Sequence, residues 1–322
     1  MLNIQRIQML REVANRKTLA AVAEAYYMSP SAVSQQLATL ERETGVQLLE
    51  REGRGVRLTT AALELVKNSD AIFESIERAE AALVAAGQGL VGSIGMSAFP
   101  TGARNLVIPA LLALREAHPN LTIMVNDLEP EQALPMLGAD ELDLVVYYEW
   151  DLLPAIAQAG IKIFPLGSEQ VYLTLPSHHP LASEQRPIAL SELRDEYWIV
   201  GREATSMLQL VSTATSHAGF EPKTNFRTMD YQVILAAVGA GLGISIVPAL
   251  ALAGDMEGVT VRPLLDLTLH RTIKAAVRTG SEYNPLIKTV LDQLAIQGDR
   301  IAQKLDEVEE RVSAYPDRHA KS

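Results

Sequence analysis

The chain has 322 residues, of which 48% are hydrophobic and 21% charged, a composition typical of a folded protein with two or three domains. It contains no cysteine, which excludes a disulfide framework, a thiolate metal site and a cysteine nucleophile and suits a reducing cytosol. A net charge of −11 argues against indiscriminate binding to nucleic acid.

The charge is uneven along the chain. Residues 1–60 carry eight Lys and Arg against six Glu, a net charge of +2, which leaves −13 for residues 61–322. A slightly basic first segment is expected when one domain meets phosphate and another does not. The first residues, MLNIQRIQMLREV, lack the apolar core and cleavage site of a signal peptide, so we expect a cytoplasmic protein.

An uncharged segment, residues 231–254, raises the alternative of a membrane helix. Three glycines and Pro248 interrupt it, and acidic residues flank it where a cytoplasmic anchor would carry Lys or Arg. We interpret it as a buried helix, a turn and a strand, and predict no membrane partner.

A helix-turn-helix is predicted after a first helix over residues 2–15. Thr18 is a suitable N-cap for the segment LAAVAEAYY, and Ser29 for a third helix that ends before Gly45. Pro30 takes the first position of that third helix, where its missing N–H does no harm, but it stops the preceding helix. The residues of the third helix that we expect to face inward are Val33, Leu37 and Leu40.

A basic turn and a long helix follow. Gly53 and Gly55 flank Arg54 between two short extended segments, a pattern typical of a two-stranded wing. From Thr60 to about Gly87 an amphipathic helix is predicted, with one apolar seam that needs a partner to cover it. A second copy of the helix is the simplest partner, so we predict a homodimer and leave a tetramer open. The seam consists of Leu63, Val66, Ile72, Ile76, Ala79 and Leu83.

From Gly89 onwards predicted strands alternate with predicted helices. The alternation favours mostly parallel sheets covered on both faces, and about 210 residues are enough for two α/β lobes. The predicted strands are 93–97, 122–126, 142–148, 162–166, 171–176, 197–200, 224–228, 243–247, 259–264 and 273–278. The main predicted helices are 104–117, 131–138, 205–217, 231–240 and 284–297.

Over essentially its full length the chain resembles the LysR-type transcriptional regulators. The specific matches are TLAAVAEAYYMSPSAVSQQLATLE, GVQLLERE and RGVRLTTAA, and weaker ones are HPNLTI, LDLVV, HPLA, YWIV and GLGISIVP. Leu49, Thr18 and Ala62 depart from the family pattern, where phenylalanine, serine and glycine are usual.

The resemblance implies an α/β effector-binding domain of two lobes, similar to periplasmic binding proteins, joined to a winged helix-turn-helix N-terminal domain. It implies a sequence-specific regulator rather than an enzyme, without a cofactor, whose partners are double-stranded DNA, a small-molecule effector held between the lobes, and RNA polymerase. The domains expected are 1–60 for DNA binding, 61–88 as the dimerising linker helix, 89–298 for effector binding (first lobe 89–166 and 268–298, second lobe 167–267) and 299–322 as a helix extension and frayed polar tail.

The candidate DNA-binding residues at the start of the third helix are those such a helix places in the major groove. Hydroxyl and amide side chains can read base edges there, and a glutamine can bind adenine at two points. The alternative is a polar helix start with no further role. The candidates are Pro30, Ser31, Ala32, Ser34, Gln35 and Gln36.

The wing supplies further candidates. Arg54 can reach a minor groove or a phosphate, and Arg51 and Arg57 can hold phosphates. The alternatives are a solvated charged turn and, for Arg51, a structural ion pair within the wing.

The candidate effector-binding residues lie at predicted strand ends, since ligands of open α/β sheets bind where strands exit and helices begin. They are Ser97, Ala98, Thr101, Leu128, Glu129, Tyr147, Arg202 and Thr228. The resemblance makes Ser97 and Thr101 the strongest of these; alternatively they only cap a helix, and Tyr147 and Tyr148 belong equally to the core or the cleft.

Hydroxyl and N–H donors at these strand ends favour an effector with a carboxylate, for which Arg202 is a candidate counter-ion. Because the chain should cross between the lobes twice, hinges are expected near 165–169 and 266–271. The coupling of lobe movement to the spacing of the DNA-binding heads comes from the resemblance and not from the residues.

An enzyme and a ligand-binding protein without DNA binding are the two alternative classes of protein. The GAGLG of residues 239–243 follows a predicted helix and precedes a strand, the reverse of the order in a dinucleotide-binding motif, and the six histidines show no metal-ligand spacing. These features argue against an enzyme. The second half alone would fit a ligand-binding protein without DNA binding, but residues 1–60 argue against that class.

Overall fold

The computed structural model of the chain describes residues 2–52, 55–87, 90–156, 159–184, 186–253 and 256–313. Its first helices are α1 (Ile4–Arg16), α2 (Leu19–Ala25) and α3 (Pro30–Thr44). Thr18 and Ser29 cap α2 and α3 by accepting hydrogen bonds from the third residue beyond each, as predicted. Gly45 ends α3 in the left-handed conformation, at a φ of 70°.

The three helices bury a common apolar cluster. Val33, Leu37 and Leu40 of α3 face inward as expected, against the buried residues of α1. Ile7, Leu10 and Val13 of α1 are buried, whereas Ile4, at its first turn, is exposed. The wing is confirmed as the antiparallel pair β1 (Leu49–Glu52) and β2 (Gly55–Leu58). Arg54, at its predicted tip, lies outside the described residues.

The linker helix α4 spans Thr60–Ala86 and is only partly covered. Ala62, Val66 and Ala81 are buried, whereas Leu63, Ile72 and Leu83 of the predicted seam are exposed, at 55%, 39% and 76%. Ile72 and Leu83 lie on one side of the helix and form the apolar surface that its own chain leaves open, whereas Leu63 lies on the opposite side.

The second half contains a seven-stranded sheet in the order β10-β6-β11-β5-β3-β4, with β9 also pairing to β6, and a separate β7-β8 pair. The strands are β3 (Gly92–Ala98), β4 (Leu121–Asp127), β5 (Leu144–Trp150), β6 (Ile161–Pro176), β7 (Tyr197–Val200), β8 (Lys223–Arg227), β9 (Ser245–Pro248), β10 (Val259–Arg262) and β11 (His270–Arg278). The helices are α5 (Pro100–Gly102), α6 (Ile108–Ala117), α7 (Pro130–Gly138), α8 (Ser206–His217), α9 (Tyr231–Gly239) and α10 (Pro285–Ser313), with a π-helical turn, Ala103–Val107, joining α5 to α6.

The expectation of mostly parallel sheets is wrong. β3 pairs in parallel with β4 and β5, and β7 with β8, but β6 and β11 run antiparallel to all their neighbours. Strands flanked by helices look alike in sequence whichever way they run, so the alternation alone did not reveal the direction.

The two predicted strands 162–166 and 171–176 are one strand, β6, so the expected hinge at 165–169 lies within continuous β structure. Its first part pairs with β11 and its last part with β9 and β10. β6 and β11 therefore run side by side from one lobe to the other. We call residues 90–166 and 268–298 the first lobe and residues 167–267 the second lobe, counting only the described residues. His270 and Arg271, at the other expected crossing, pair with Gln170 and Glu169.

At the end of the chain, residues 299–313 continue α10 without a break, as the expected helix extension, and bury Ile301, Val308 and Val312. The polar tail expected after it, residues 314–322, lies outside the described residues. Among the described residues, no helix is both long enough and apolar enough to span a membrane.

Candidate DNA-reading surface and effector cleft

The first turn of α3 presents an open polar surface. Pro30, Ser31, Ser34 and Gln35 are exposed, and Ala32 is partly buried. The Ser29 hydroxyl accepts a hydrogen bond from the Ala32 N–H at 3.2 Å and lies 2.8 Å from the Ser31 hydroxyl. The cap therefore fixes the helix start while the side chains beyond it point outward.

Gln36 differs from its neighbours because it is held from within the same domain. Its Oε1 accepts a hydrogen bond from Arg6 Nε at 3.0 Å, and the Arg6 guanidinium also contacts the Glu43 carboxylate. The hydrogen bond from Arg6 thus fixes the orientation of the Gln36 amide, whereas the Gln35 side chain is exposed.

In the wing, Arg51 is exposed, and the structural ion pair that was an alternative for it is made by Arg57 instead. Arg57 Nη2 lies 2.8 Å from the Glu50 carboxylate on the opposite strand. Arg57 is therefore the structural ion-pair residue, and Arg51 remains the described wing arginine best placed for a phosphate.

Tyr27, which sequence reasoning missed, lies in the turn before α3. Its side chain is 93% exposed and its backbone has a φ of 50°, an uncommon conformation for a residue other than glycine, asparagine or aspartate. The positive φ sets this tyrosine apart, and no sequence pattern predicted that conformation. An exposed aromatic residue in a strained turn next to the α3 surface is a candidate contact to the DNA backbone.

A cavity of about 710 Å³ separates the two lobes. The first lobe contributes residues at the end of β4 and the start of α7, and the second lobe contributes the loop before α8 and the start of α9. The lining residues are Pro100, Asp127, Glu129, Glu131, Gln132, Arg202, Glu203, Ala204, Thr205, Met229 and Asp230. Glu129 and Arg202, both predicted for the effector, line it.

Next to this cavity lies a fully buried guanidinium, that of Arg271 in β11. Its Nε and Nη2 donate to the Glu169 carboxylate at 2.8 and 2.6 Å, and Nη2 also donates to the Thr101 hydroxyl at 2.8 Å. The rings around the guanidinium carbon, 4.9–5.8 Å away, are those of Phe99, Tyr148, Trp150 and Tyr231. The guanidinium is therefore paired on one side and covered by aromatic faces on the others.

Two buried polar atoms near this point have no hydrogen-bond partner among the described residues: Arg271 Nη1 and Ser97 Oγ. Thr101 is not a helix cap, because the helical segment already begins at Pro100 and the Thr101 hydroxyl accepts from Arg271. Ser97 lies at the end of β3 and Thr101 in α5 just after it, but Ser97 is fully buried.

The carboxyl of Glu129 contacts the hydroxyl of Tyr148, which donates a 2.7 Å hydrogen bond. Burial raises the pKa of Glu129, and this hydrogen bond opposes the shift. Burial also raises the pKa of Tyr148 well above its ordinary value, and the nearby Glu129 charge adds to the shift. The Tyr148 hydroxyl therefore keeps its proton throughout the physiological pH range.

The lobes touch across the cavity at Ser206, the first residue of α8. The Ser206 N–H donates to the Glu131 carboxylate at 2.7 Å, and the Ser206 hydroxyl accepts from Trp150 Nε1 at 3.2 Å. Two first-lobe side chains thus occupy the N-terminal end of a second-lobe helix.

Other predicted effector residues lie away from the cavity. Tyr147 is fully buried in a cluster with residues of α7, because β-strand alternation turns it to the face opposite Tyr148. Leu128 packs at the edge of the same cluster, and Ala98 is buried within the sheet. Thr228 is partly buried, and its hydroxyl accepts from the Asp230 N–H.

Sequence reasoning missed Arg271, Glu169, Trp150 and Tyr231. The available signal was a charged residue at an inward position of a strand that otherwise alternates, LTLHRTIKAAV. In the described parts of the chain, no group of three or more His, Asp or Glu side chains could hold a metal ion.

Comparison with known protein families agrees with this architecture. The model of the LysR substrate binding domain matches residues 87–298, and that of the bacterial regulatory helix-turn-helix proteins of the lysR family matches residues 4–63. The chain belongs to the LysR family of transcriptional regulators. This regulator therefore combines a DNA-binding domain with an effector-binding domain and is not an enzyme, which confirms the resemblance seen in the sequence.

Relatives of this LysR-family regulator match over most of their length. It is 25% identical over 307 residues to the hydrogen peroxide-inducible genes activator of Dickeya chrysanthemi, covering 94% of this chain and 99% of that protein. It is 25% identical over 275 residues to the transcriptional dual regulator GltC of Bacillus subtilis, covering 84% and 89%.

Solved structures share the fold of this LysR-family regulator. An OxyR mutant from Corynebacterium glutamicum superposes with a TM-score of 0.57 at 22% identity, covering 97% of this chain and 95% of that one. Full-length BenM gives a TM-score of 0.56 at 22% identity, covering 93% and 98%.

Proposed function

We propose that this regulator reads a specific duplex DNA site as a homo-oligomer and that a small molecule bound in the cleft between the lobes modulates it. It would act in the cytoplasm, with RNA polymerase as a further partner. The observation that carries the DNA-reading part is the first turn of α3, where a capped helix start presents exposed hydroxyl and amide groups beside a wing.

The proposal of an oligomer is supported by the uncovered face of α4. Ile72 and Leu83 share one side of this helix, are apolar and exposed, and burying such surface contributes about 25 cal/mol per Å². A second copy of α4 offers a matching face, so a dimer through this helix is the simplest assembly, and a tetramer would need a further contact.

The chemistry of the cleft supports an effector with both a carboxylate and a cationic group. Arg202 lines the cavity and is a counter-ion for the carboxylate. The same cavity is lined by five carboxylates, those of Asp127, Glu129, Glu131, Glu203 and Asp230. A purely anionic ligand would be repelled by this surface, whereas an amine on the same molecule would be attracted to it.

Thiol chemistry does not supply the signal. Several of the matched proteins are named hydrogen peroxide-inducible genes activators or OxyR, but this chain has no cysteine to oxidise. We therefore propose reversible binding of a ligand as the input.

The DNA-reading proposal is tested by titrating the full chain against the DNA upstream of its own gene and against a shuffled duplex of equal length, at several salt concentrations. We expect tighter binding to the upstream DNA and a binding constant that falls with salt on both duplexes. Equal binding to both duplexes at every salt concentration would contradict specific recognition.

The effector proposal is tested by calorimetric titration with amino acids of increasing side-chain length, each beside its deaminated and its decarboxylated counterpart. We expect binding by members that keep both the amine and the carboxylate. Binding by the deaminated acids alone would show that the acidic lining does not select the ligand, and Arg202→Gln should weaken binding of any carboxylate that does bind.

A further inference from the structure

The last helix extends beyond the match to the LysR substrate binding domain. α10 is one helix of 29 residues, Pro285–Ser313, whereas that match ends at residue 298. The position of residues 299–313 in the fold indicates what they do.

The first half of α10 belongs to the first lobe. Leu286, Ile287, Val290 and Leu294 are buried in the cluster that holds the inward residues of β3 and β11. This half covers one face of the main sheet, as expected for a helix that follows β11.

The middle of α10 rests directly on the crossing strand β6. A Cβ atom added at Gly298 would overlap the carbonyl oxygen of Leu166. Leu166 lies in the part of β6 where the chain passes from the first lobe to the second. Because a glycine at this helix position permits the close approach of the two backbones, the helix is seated on the crossing point.

The last part of α10 belongs to the second lobe. Val308 and Val312 are 6% and 8% exposed and are members of a cluster with Ile199, Val247 and Leu252, all from the second lobe. Leu305 packs against this cluster and also against the larger cluster that holds Leu286 and Leu294, which has members from both lobes. Along α10, the buried side chains therefore contact the first lobe at its start, the crossing strand β6 at its middle and the second lobe at its end.

We propose that residues 299–313 are an interlobe strap that sets the angle between the two lobes. A continuous helix is stiff, so rotating the second lobe away from the first would either pull Val308 and Val312 out of their cluster or bend α10 near Gly298. Across the cleft, Glu131 and Trp150 of the first lobe contact Ser206 of the second, and the strap adds an apolar restraint to these polar contacts. The strap follows from packing alone and holds whether or not the cleft binds an effector.

The test measures the interlobe distance in the full chain without ligand. Since the chain has no cysteine, Glu116→Cys in the first lobe and Ser216→Cys in the second, both exposed, give one label on each lobe. Labelled chain is mixed with an excess of unlabelled chain, so that an oligomer carries at most one labelled copy, and electron–electron double resonance should then give one narrow distance distribution. We expect Val308→Ser combined with Val312→Ser to replace it with a broader one shifted in its mean, and the exposed pair Gln303→Ser with Glu310→Ser to leave it unchanged.

An unchanged distribution in the Val308→Ser, Val312→Ser protein would overturn the strap. Hydrogen exchange on the unaltered chain gives an independent reading that needs no variant: amides of residues 301–312 should exchange as slowly as those of β9. Exchange of these amides at the rate of an unfolded peptide would equally overturn the proposal. Failure of the effector titrations would leave both readouts untouched, so the two proposals fail separately.

Discussion

Glu131 of the first lobe accepts a 2.7 Å hydrogen bond from the backbone N–H of Ser206 in the second lobe. Ser206 is the first residue of α8, and its N-cap residue, Thr205, makes no side-chain hydrogen bond to the helix. The cap that a helix normally takes from its own sequence is therefore supplied across the cleft. The same N–H would otherwise be free to bind an anionic group of a ligand.

Replacing Glu131 with alanine should lower the free energy of unfolding by about 0.5–2 kcal/mol, the usual cost of losing a helix cap. Urea denaturation of the full chain measures this, with Gln132→Ala, an exposed neighbour in the same cavity, as the matched control. Equal stability of the two variants would show that the contact between the lobes contributes nothing.

The parts of the fold that the sequence predicted correctly depend on local signals. Ser29 and Pro30 mark a helix start within two residues, and Gly45 marks its end, so α3 was predicted with its observed bounds. The seam of α10 was also present in the sequence, since Ile301, Leu305, Val308 and Val312 recur at helical spacing. A helix extension was predicted after residue 298, but no partner was assigned to its apolar side chains, and the strap was missed for that reason.

The parts that failed depend on residues far apart in the chain. Arg271 is 102 residues from the Glu169 that pairs with it and 170 from Thr101, so its charge could be assigned to a buried site only once β6 and β11 were seen side by side. The choice between Tyr147 and Tyr148 depended on which face of β5 meets the cleft, and neighbouring residues of a strand give no sign of that.

The absence of cysteine predicts that the regulator is insensitive to thiol reagents. Its affinity for DNA should be unchanged by iodoacetamide, by dithiothreitol and by brief treatment with dilute hydrogen peroxide, measured by fluorescence anisotropy. A reversible loss of binding after peroxide that dithiothreitol restores would contradict this, since the chain offers no disulfide to reduce.

Gln35→Ala should reduce the preference for the cognate DNA over random DNA by about 1–3 kcal/mol, because the amide is placed to contact a base edge. Competition titrations against the two DNAs measure the preference directly. Arg51→Ala and Arg54→Ala are the contrasting variants, expected to weaken binding to every sequence and to reduce the dependence on salt concentration. An equal loss on cognate and random DNA for Gln35→Ala would count against base reading.

Tyr27→Phe tests whether the exposed hydroxyl in the turn before α3 contacts the DNA backbone. The substitution keeps the ring and the left-handed backbone, so thermal stability should not change, while affinity should fall by about 0.5–1.5 kcal/mol on cognate and random DNA alike. The measurements are the midpoint of thermal unfolding and the binding curves on cognate and on random DNA. Unchanged affinity would mean that this side chain faces solvent in the complex.

Glu129→Gln tests the protonation of the cleft. Burial raises the pKa of Glu129 above its ordinary 4.5 in the folded protein. A carboxyl with a raised folded pKa stabilises the fold in its protonated form, so this contribution is complete below pH 4.5 and is lost as the pH rises through the folded pKa. Glutamine keeps an oxygen to accept the Tyr148 hydrogen bond and removes the charge.

The Glu129→Gln protein should therefore be more stable than the unaltered protein at neutral pH, and the difference should shrink as the pH falls towards 4.5 and stay constant below it. Free energies of unfolding in urea at a series of pH values measure it, with the exposed Glu116→Gln of the same lobe as the control. Parallel pH profiles for the unaltered protein and Glu129→Gln would mean that Glu129 titrates alike in the folded and unfolded chain.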